Sequence, residues 1–148
     1  MPQNNQLLGP LIYRVSARLR AEMSMVLQQF ELTLAEFVCL RVLRETPGLT
    51  NAELARIFEV TPQTMNTTLA ALESAGLVHR PAKAARGRSL PCQVTAAAQR
   101  LLDDSMPAVR AAEAKVLAAL DTSQRREFRR MLAAIAGQDV SPRAITSR

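Results

Sequence analysis

The chain has 148 residues, 48% hydrophobic and 22% charged, and a formal net charge of +6, the make-up of one basic globular domain able to bury a core. Two cysteines are too few for a secreted disulfide framework, and no run of about 18 apolar residues offers a membrane span. The polar start does not read as a signal peptide, so the expected compartment is the cytoplasm.

A single domain over 1–148 is expected, mainly α, because alanine and leucine recur with helical periodicity. The first helix is predicted from about Leu7 to Phe30: Leu8, Leu11, Ile12, Val15, Leu19, Met23, Val26 and Leu27 recur at spacings of three and four. That stripe is long for a small domain and points to burial against a partner helix. A second helix starts after Thr33, whose spacing to Glu36 is that of a capping box, and stops at Pro47-Gly48. Thr50 and Glu53 repeat the box at the start of a third helix, with Leu54 and Ile57 inward. After a Glu59-Val60 connector, Thr61 serves as N-cap of a fourth helix. Pro62 stands at its first position, where the missing N–H is harmless. Met65, Leu69 and Leu72 form its core stripe, and Gly76 ends it. Two short strands follow, near 77–80 and 90–94, Pro91 keeping the second short or at an edge. Thr95 caps a long helix reaching about Leu120, with a kink expected at Pro107. A last helix starts at Thr122.

Two short helices joined by a tight connector are the pattern of a helix-turn-helix, whose second helix can enter a major groove. Opposite the Met65/Leu69/Leu72 stripe lie Gln63, Thr64, Asn66 and Thr67. Gln and Asn can pair with adenine, and Thr can touch a phosphate or a thymine methyl. No carboxylate follows the connector until Glu73, and none stands between Glu73 and Asp103, where Arg80, Lys83, Arg86, Arg88 and Arg100 fall. Lys83, Arg86, Arg88 and Ser89 surround the hairpin tip, which could reach phosphates or a narrow minor groove. A charged tip is also what an ordinary solvated hairpin looks like, and the polar helix face alone reads equally well as surface. His79 is the only histidine and reads as strand surface. Cys39 fits the apolar pattern of the second helix as a buried small hydrophobe, while Cys92, on the returning strand, is expected to be more exposed. No P-loop, dinucleotide fingerprint, metalloprotease motif or nucleophile elbow is present, so neither an enzyme nor a cofactor is expected.

The stretch from Leu32 to Thr95 resembles the MarR family of bacterial regulators. The resemblance is carried in order by Leu32-Thr33 and Phe37 to Leu43, by Leu49-Thr50-Asn51-Ala52-Glu53-Leu54-Ala55, and by Thr61 to Asn66. Leu72 to Val78, Arg80, and Gly87-Arg88 leading to Val94-Thr95 complete it. It implies a winged helix-turn-helix, α-α-α-α-β-β-α-α, with Thr61, Pro62, Gln63, Thr64, Asn66 and Thr67 at a major groove and the wing residues at flanking DNA. It further implies residues 33–95 as the DNA-binding lobe, 7–30 and 96–137 as dimerisation helices, and a homodimer on a palindromic operator, by family default a repressor. A small-molecule site, often for aromatic acids, would lie between the two regions. Tyr13 and Arg18 on the first helix are candidate contacts there, an arginine being a natural partner for a ligand carboxylate, although dimer-interface or surface roles fit them equally. The chain departs from the family pattern where Arg86-Gly87-Arg88 replaces the usual Asp-Arg-Arg, where Thr67 stands for a frequent arginine, and where Ala98 stands for a glycine. The rival reading is a winged-helix adaptor that binds proteins rather than specific DNA.

Overall fold

The computed structural model describes residues 7–81 and 91–137. Six α-helices and one small hairpin follow in the expected order: α1 Leu8–Leu27, α2 Leu34–Glu45, α3 Asn51–Ile57, α4 Pro62–Ser74, β1 Val78–His79, β2 Gln93–Val94, α5 Ala96–Val116 and α6 Thr122–Ile135.

Local chemistry sets most boundaries. α1 ends with its apolar stripe at Leu27, short of the expected Phe30, because residues 28–30 tighten into a 3₁₀ turn and Glu31 turns left-handed at φ +54°. Thr33 and Glu36 close a full capping box: Oγ1 accepts from the Glu36 N–H at 3.2 Å and the Glu36 carboxylate accepts from the Thr33 N–H at 2.8 Å. Thr50 and Glu53 do the same for α3. α4 opens on Thr61, whose Oγ1 accepts the Thr64 N–H at 3.1 Å, with Pro62 as its first residue. It closes through Gly76 at φ +71°, where the Leu77 N–H reaches back to Leu72 O at 2.9 Å.

The hairpin is antiparallel, pairing Val78 with Val94 and His79 with Gln93. Each strand is two residues long, shorter than the sequence suggests. The returning chain is held elsewhere: the Cys92 N–H bonds Leu49 O at 2.9 Å, which presses Cys92 onto the α2–α3 loop. Cys92 is consequently buried, at 0% exposure, and the expectation that it would be the more exposed thiol is overturned. Cys39 is buried as expected.

α5 runs through Pro107 as one helix and stops at Val116, short of Leu120. The Arg125 guanidinium accounts for the early stop. Its Nε donates to the Leu117 and Leu120 carbonyls at 3.2 and 2.9 Å, satisfying groups that more helix would have used. α6 starts at Thr122 as expected and is capped by Asp121 in a third capping box with Gln124.

The core lies where α1 and α5 pack on each other and on α2, which in turn meets α4, and α4 meets α3. Leu27, Leu40, Leu54, Leu69 and Leu102 are all fully covered. Each contributes about 1.5–3 kcal/mol relative to exposure. Ion pairs tie α5 to α1 and α2, Lys115–Glu22 at 2.8 Å and Arg44–Asp103 at 2.7 Å. Both are largely solvated, so their contribution is about 0–1 kcal/mol each.

Candidate nucleic-acid interface

α3 and α4 are fixed to one another by their connector. Glu59 takes φ +52°, Val60 N–H bonds Ala55 O at 3.0 Å, and Asn51 Nδ2 donates to Pro62 O at 3.1 Å. Met65, Leu69 and Leu72 then turn inward, and the helical repeat places Thr61, Pro62, Gln63, Thr64, Asn66 and Thr67 in solvent. No acidic residue stands in the first turn, so the positive end of the helix dipole is open to an anion.

The hydroxyls and the amides on this face differ. Thr61 donates to Thr64 Oγ1 at 2.9 Å and Thr67 donates to Gln63 O at 3.2 Å, so both hydroxyl protons are used locally. Asn66 is held through its Oδ1, which accepts from Arg80 Nη1 at 2.8 Å. Arg80 Nε pairs with Glu73 at 3.2 Å and so offsets that carboxylate. Arg80 stands at the end of β1, and the sequence-based set of contacts omitted it. Lys83, Arg86, Arg88 and Ser89 lie outside the described residues. His79 is exposed on its strand, as expected.

A cavity of about 420 Å³ lies between α1, α2 and α5. Leu19, Met23, Phe37 and Val42 give it an apolar wall, and Arg20 and Arg41 line it together with Glu45 and Glu113. Arg41 Nη2 pairs with Glu45 at 2.6 Å, while its Nε is buried with no hydrogen-bond partner among the described residues. Arg41 also borders an open groove of about 500 Å³ shared with Arg44, Asp103 and Arg110. Neither Tyr13 nor Arg18 lines the cavity; both are exposed, Tyr13 at 76%. Helical geometry explains why. Ser16, Leu19, Arg20 and Met23 share the cavity face, Arg18 falls about 200° round from Ser16, and Tyr13 is a turn too early.

Burial disfavours the thiolate form of both cysteines. Desolvation, with smaller effects from nearby Cys92 and Glu36, pushes Cys39 up to about 12. Burial also raises Cys92, against the opposing pull of Arg80. Among the described residues no group of three His, Cys, Asp or Glu side chains is placed to hold a metal ion. No helix there is long and apolar enough to cross a membrane.

A family model described as MarR family matches residues 32–90. The HTH-type transcriptional repressor Rv2887 of Mycobacterium tuberculosis (strain ATCC 25618 / H37Rv) is 56% identical over 125 residues, 84% of this chain and 90% of that one. The crystal structure of the M. tuberculosis MarR family protein Rv2887 in complex with DNA superposes at a TM-score of 0.76 and 50% identity. It covers 88% of this chain and 98% of that one. The complex with salicylic acid gives 0.72 and 53%, over 89% and 98%. With more than half of the aligned residues shared over most of both sequences, the chain belongs to the MarR family.

Proposed function

We propose that this chain is a homodimeric transcriptional repressor that reads a palindromic operator in duplex DNA and is released by a small aromatic acid of the salicylate kind. The observation that carries the reading is α4: uncharged hydrogen-bonding side chains stand outward from a helix whose back is locked into the core. Gln63 and Asn66 meet base edges, and Thr61, Pro62, Thr64 and Thr67 meet backbone and methyl groups. Lys83, Arg86, Arg88 and Ser89 grip flanking sugar-phosphate from the hairpin. Residues 33–95 are the DNA-binding lobe, while 7–30 and 96–137 join two copies. Its place of action is the cytoplasm, where the DNA is, and it acts by binding rather than by turnover.

The cavity between α1, α2 and α5 is the ligand site. Its size falls in the range of about 300–1,000 Å³ usual for small-molecule pockets. An aromatic ring fits the apolar wall, and the acid meets Arg41 and Arg20. Because α1 belongs to the dimerising base and α2 to the reading lobe, an occupant bears on the angle between them. It releases DNA only so far as it binds the non-operator geometry more tightly.

Genomic footprinting with and without salicylate tests this. The expected result is protection of a palindrome that salicylate removes. Equal, weak retention of all sequences even at low salt would replace the repressor reading with that of a protein-binding adaptor.

A further inference from the structure

A carboxamide identifies adenine by accepting from the N6 amino group through its oxygen while its nitrogen donates to N7. In Asn66 that oxygen is already engaged, by Arg80 Nη1 at 2.8 Å. A guanidinium has only donors, so the amide orientation follows from the chemistry: Oδ1 faces Arg80 and Nδ2 faces away. Arg80 is itself anchored through Nε to Glu73, with 25% of its side chain exposed. The amide is therefore preset before any DNA arrives.

We propose that Arg80 is a positioning residue that sets the base preference of Asn66, converting it from an adenine reader into a donor that selects acceptor-rich edges. This rests on the reading above that α4 enters the major groove. The charge-assisted bond uses one lone pair of Oδ1 and leaves the oxygen a poorer acceptor for a second donor. The cation beside it favours guanine, whose N7 and O6 are both acceptors, and disfavours the amino group of adenine. Because Arg80 ends β1, the contact also joins the base-reading face to the root of the hairpin.

The test is selection of bound sequences from a randomised operator library by the full-length dimer, run on the unaltered chain, Arg80→Ala, Glu73→Gln, Asn66→Ala and the Asn66→Ala/Arg80→Ala double variant. One base-pair step should lose its preference in Asn66→Ala. At that step the unaltered chain selects guanine, and Arg80→Ala shifts the guanine-to-adenine ratio toward adenine by at least about fivefold. Glu73→Gln, which only loosens the anchor, shifts it the same way by less and keeps the proposal testable if Arg80→Ala fails to fold. In the double variant the removal of Arg80 has no further effect on that step. An adenine preference in the unaltered chain overturns the proposal, and so does a uniform loss of affinity with preferences unchanged in Arg80→Ala and Glu73→Gln. If the unaltered chain selects no sequence at all, the operator reading falls and this proposal with it.

Discussion

Asn66 and Leu69 sit three residues apart on α4, yet one is exposed and the other sealed in the core. Substitutions there should separate cleanly. Leu69→Ala removes a fully buried side chain and should cost about 2–5 kcal/mol in urea unfolding, depending on how far the cavity collapses. Gln63→Ala should leave that stability alone and weaken specific binding by about 1–3 kcal/mol, sparing random DNA. Equal losses on both DNAs would remove Gln63 from base reading. At the cavity, Arg41→Ala deprives a ligand carboxylate of its partner and should raise the salicylate concentration needed for release by about tenfold or more. An unchanged release curve would move the ligand elsewhere. The inward stripe and the outward amides of α4 were legible in the sequence because both follow the 3.6-residue repeat. Arg80 was not, since its partner Asn66 is 14 positions away and only the return of β1 alongside α4 brings them together. Arg20 and Arg41 were hidden for the same reason: which arginine meets a cavity depends on how α1 lies across α2.

The helix starts show a finer version of the same division. Thr33 with Glu36 and Thr50 with Glu53 stand at the spacing a capping box needs and both formed, because the interaction spans only three residues. The box of Asp121 and Gln124 has the same local logic and opens α6 at Thr122. The end of α5 depended on Arg125, a contact from the next helix that no local pattern marks. The α3 box carries a pH signature. Hydrogen bonding from the Thr50 backbone N–H holds Glu53 below its ordinary value of 4.5. A carboxyl depressed in the folded state adds stability that is complete above its unfolded value and is lost as pH falls through the folded one. Glu53 is half-buried at the surface of α3 and the shift is modest, so the effect is small. Glu53→Ala should therefore destabilise by about 0.5–1 kcal/mol at pH 7. That deficit should shrink as the solution is taken below pH 4.5. Urea midpoints across the acid range measure it, and a deficit that stays constant to pH 3 would exclude the ionised carboxylate as its source.

For the molecule as a whole, the exposed apolar residues concentrate at its two ends. Leu8, Ile12 and Val15 on α1, and Leu132 and Ile135 on α6, stand in solvent in a single chain. Such surface is expected to be covered by a second copy. Sedimentation at micromolar concentration should give a dimer, and Ile12→Asp combined with Leu132→Asp should shift the mass toward one chain and abolish tight operator binding. A monomeric mass for the unaltered chain would overturn the homodimer reading. The α1 stripe was legible in the sequence, and its first half stands in solvent in one chain; where a second copy would lie is specified by no pattern within one chain.

Thr95 has a mechanical meaning. Its hydroxyl donates to Gly76 O at 2.8 Å and accepts the first-turn N–H of Ala98, so one side chain bolts the far end of α4 to the beginning of α5. α5 has 21 residues and is about 30 Å long. It is thus a lever fastened at one end to the helix that carries the outward amides. A displacement of about 2 Å at the free end of the lever swings it by about 4°, and the two bonds of Thr95 hand that swing to the end of α4.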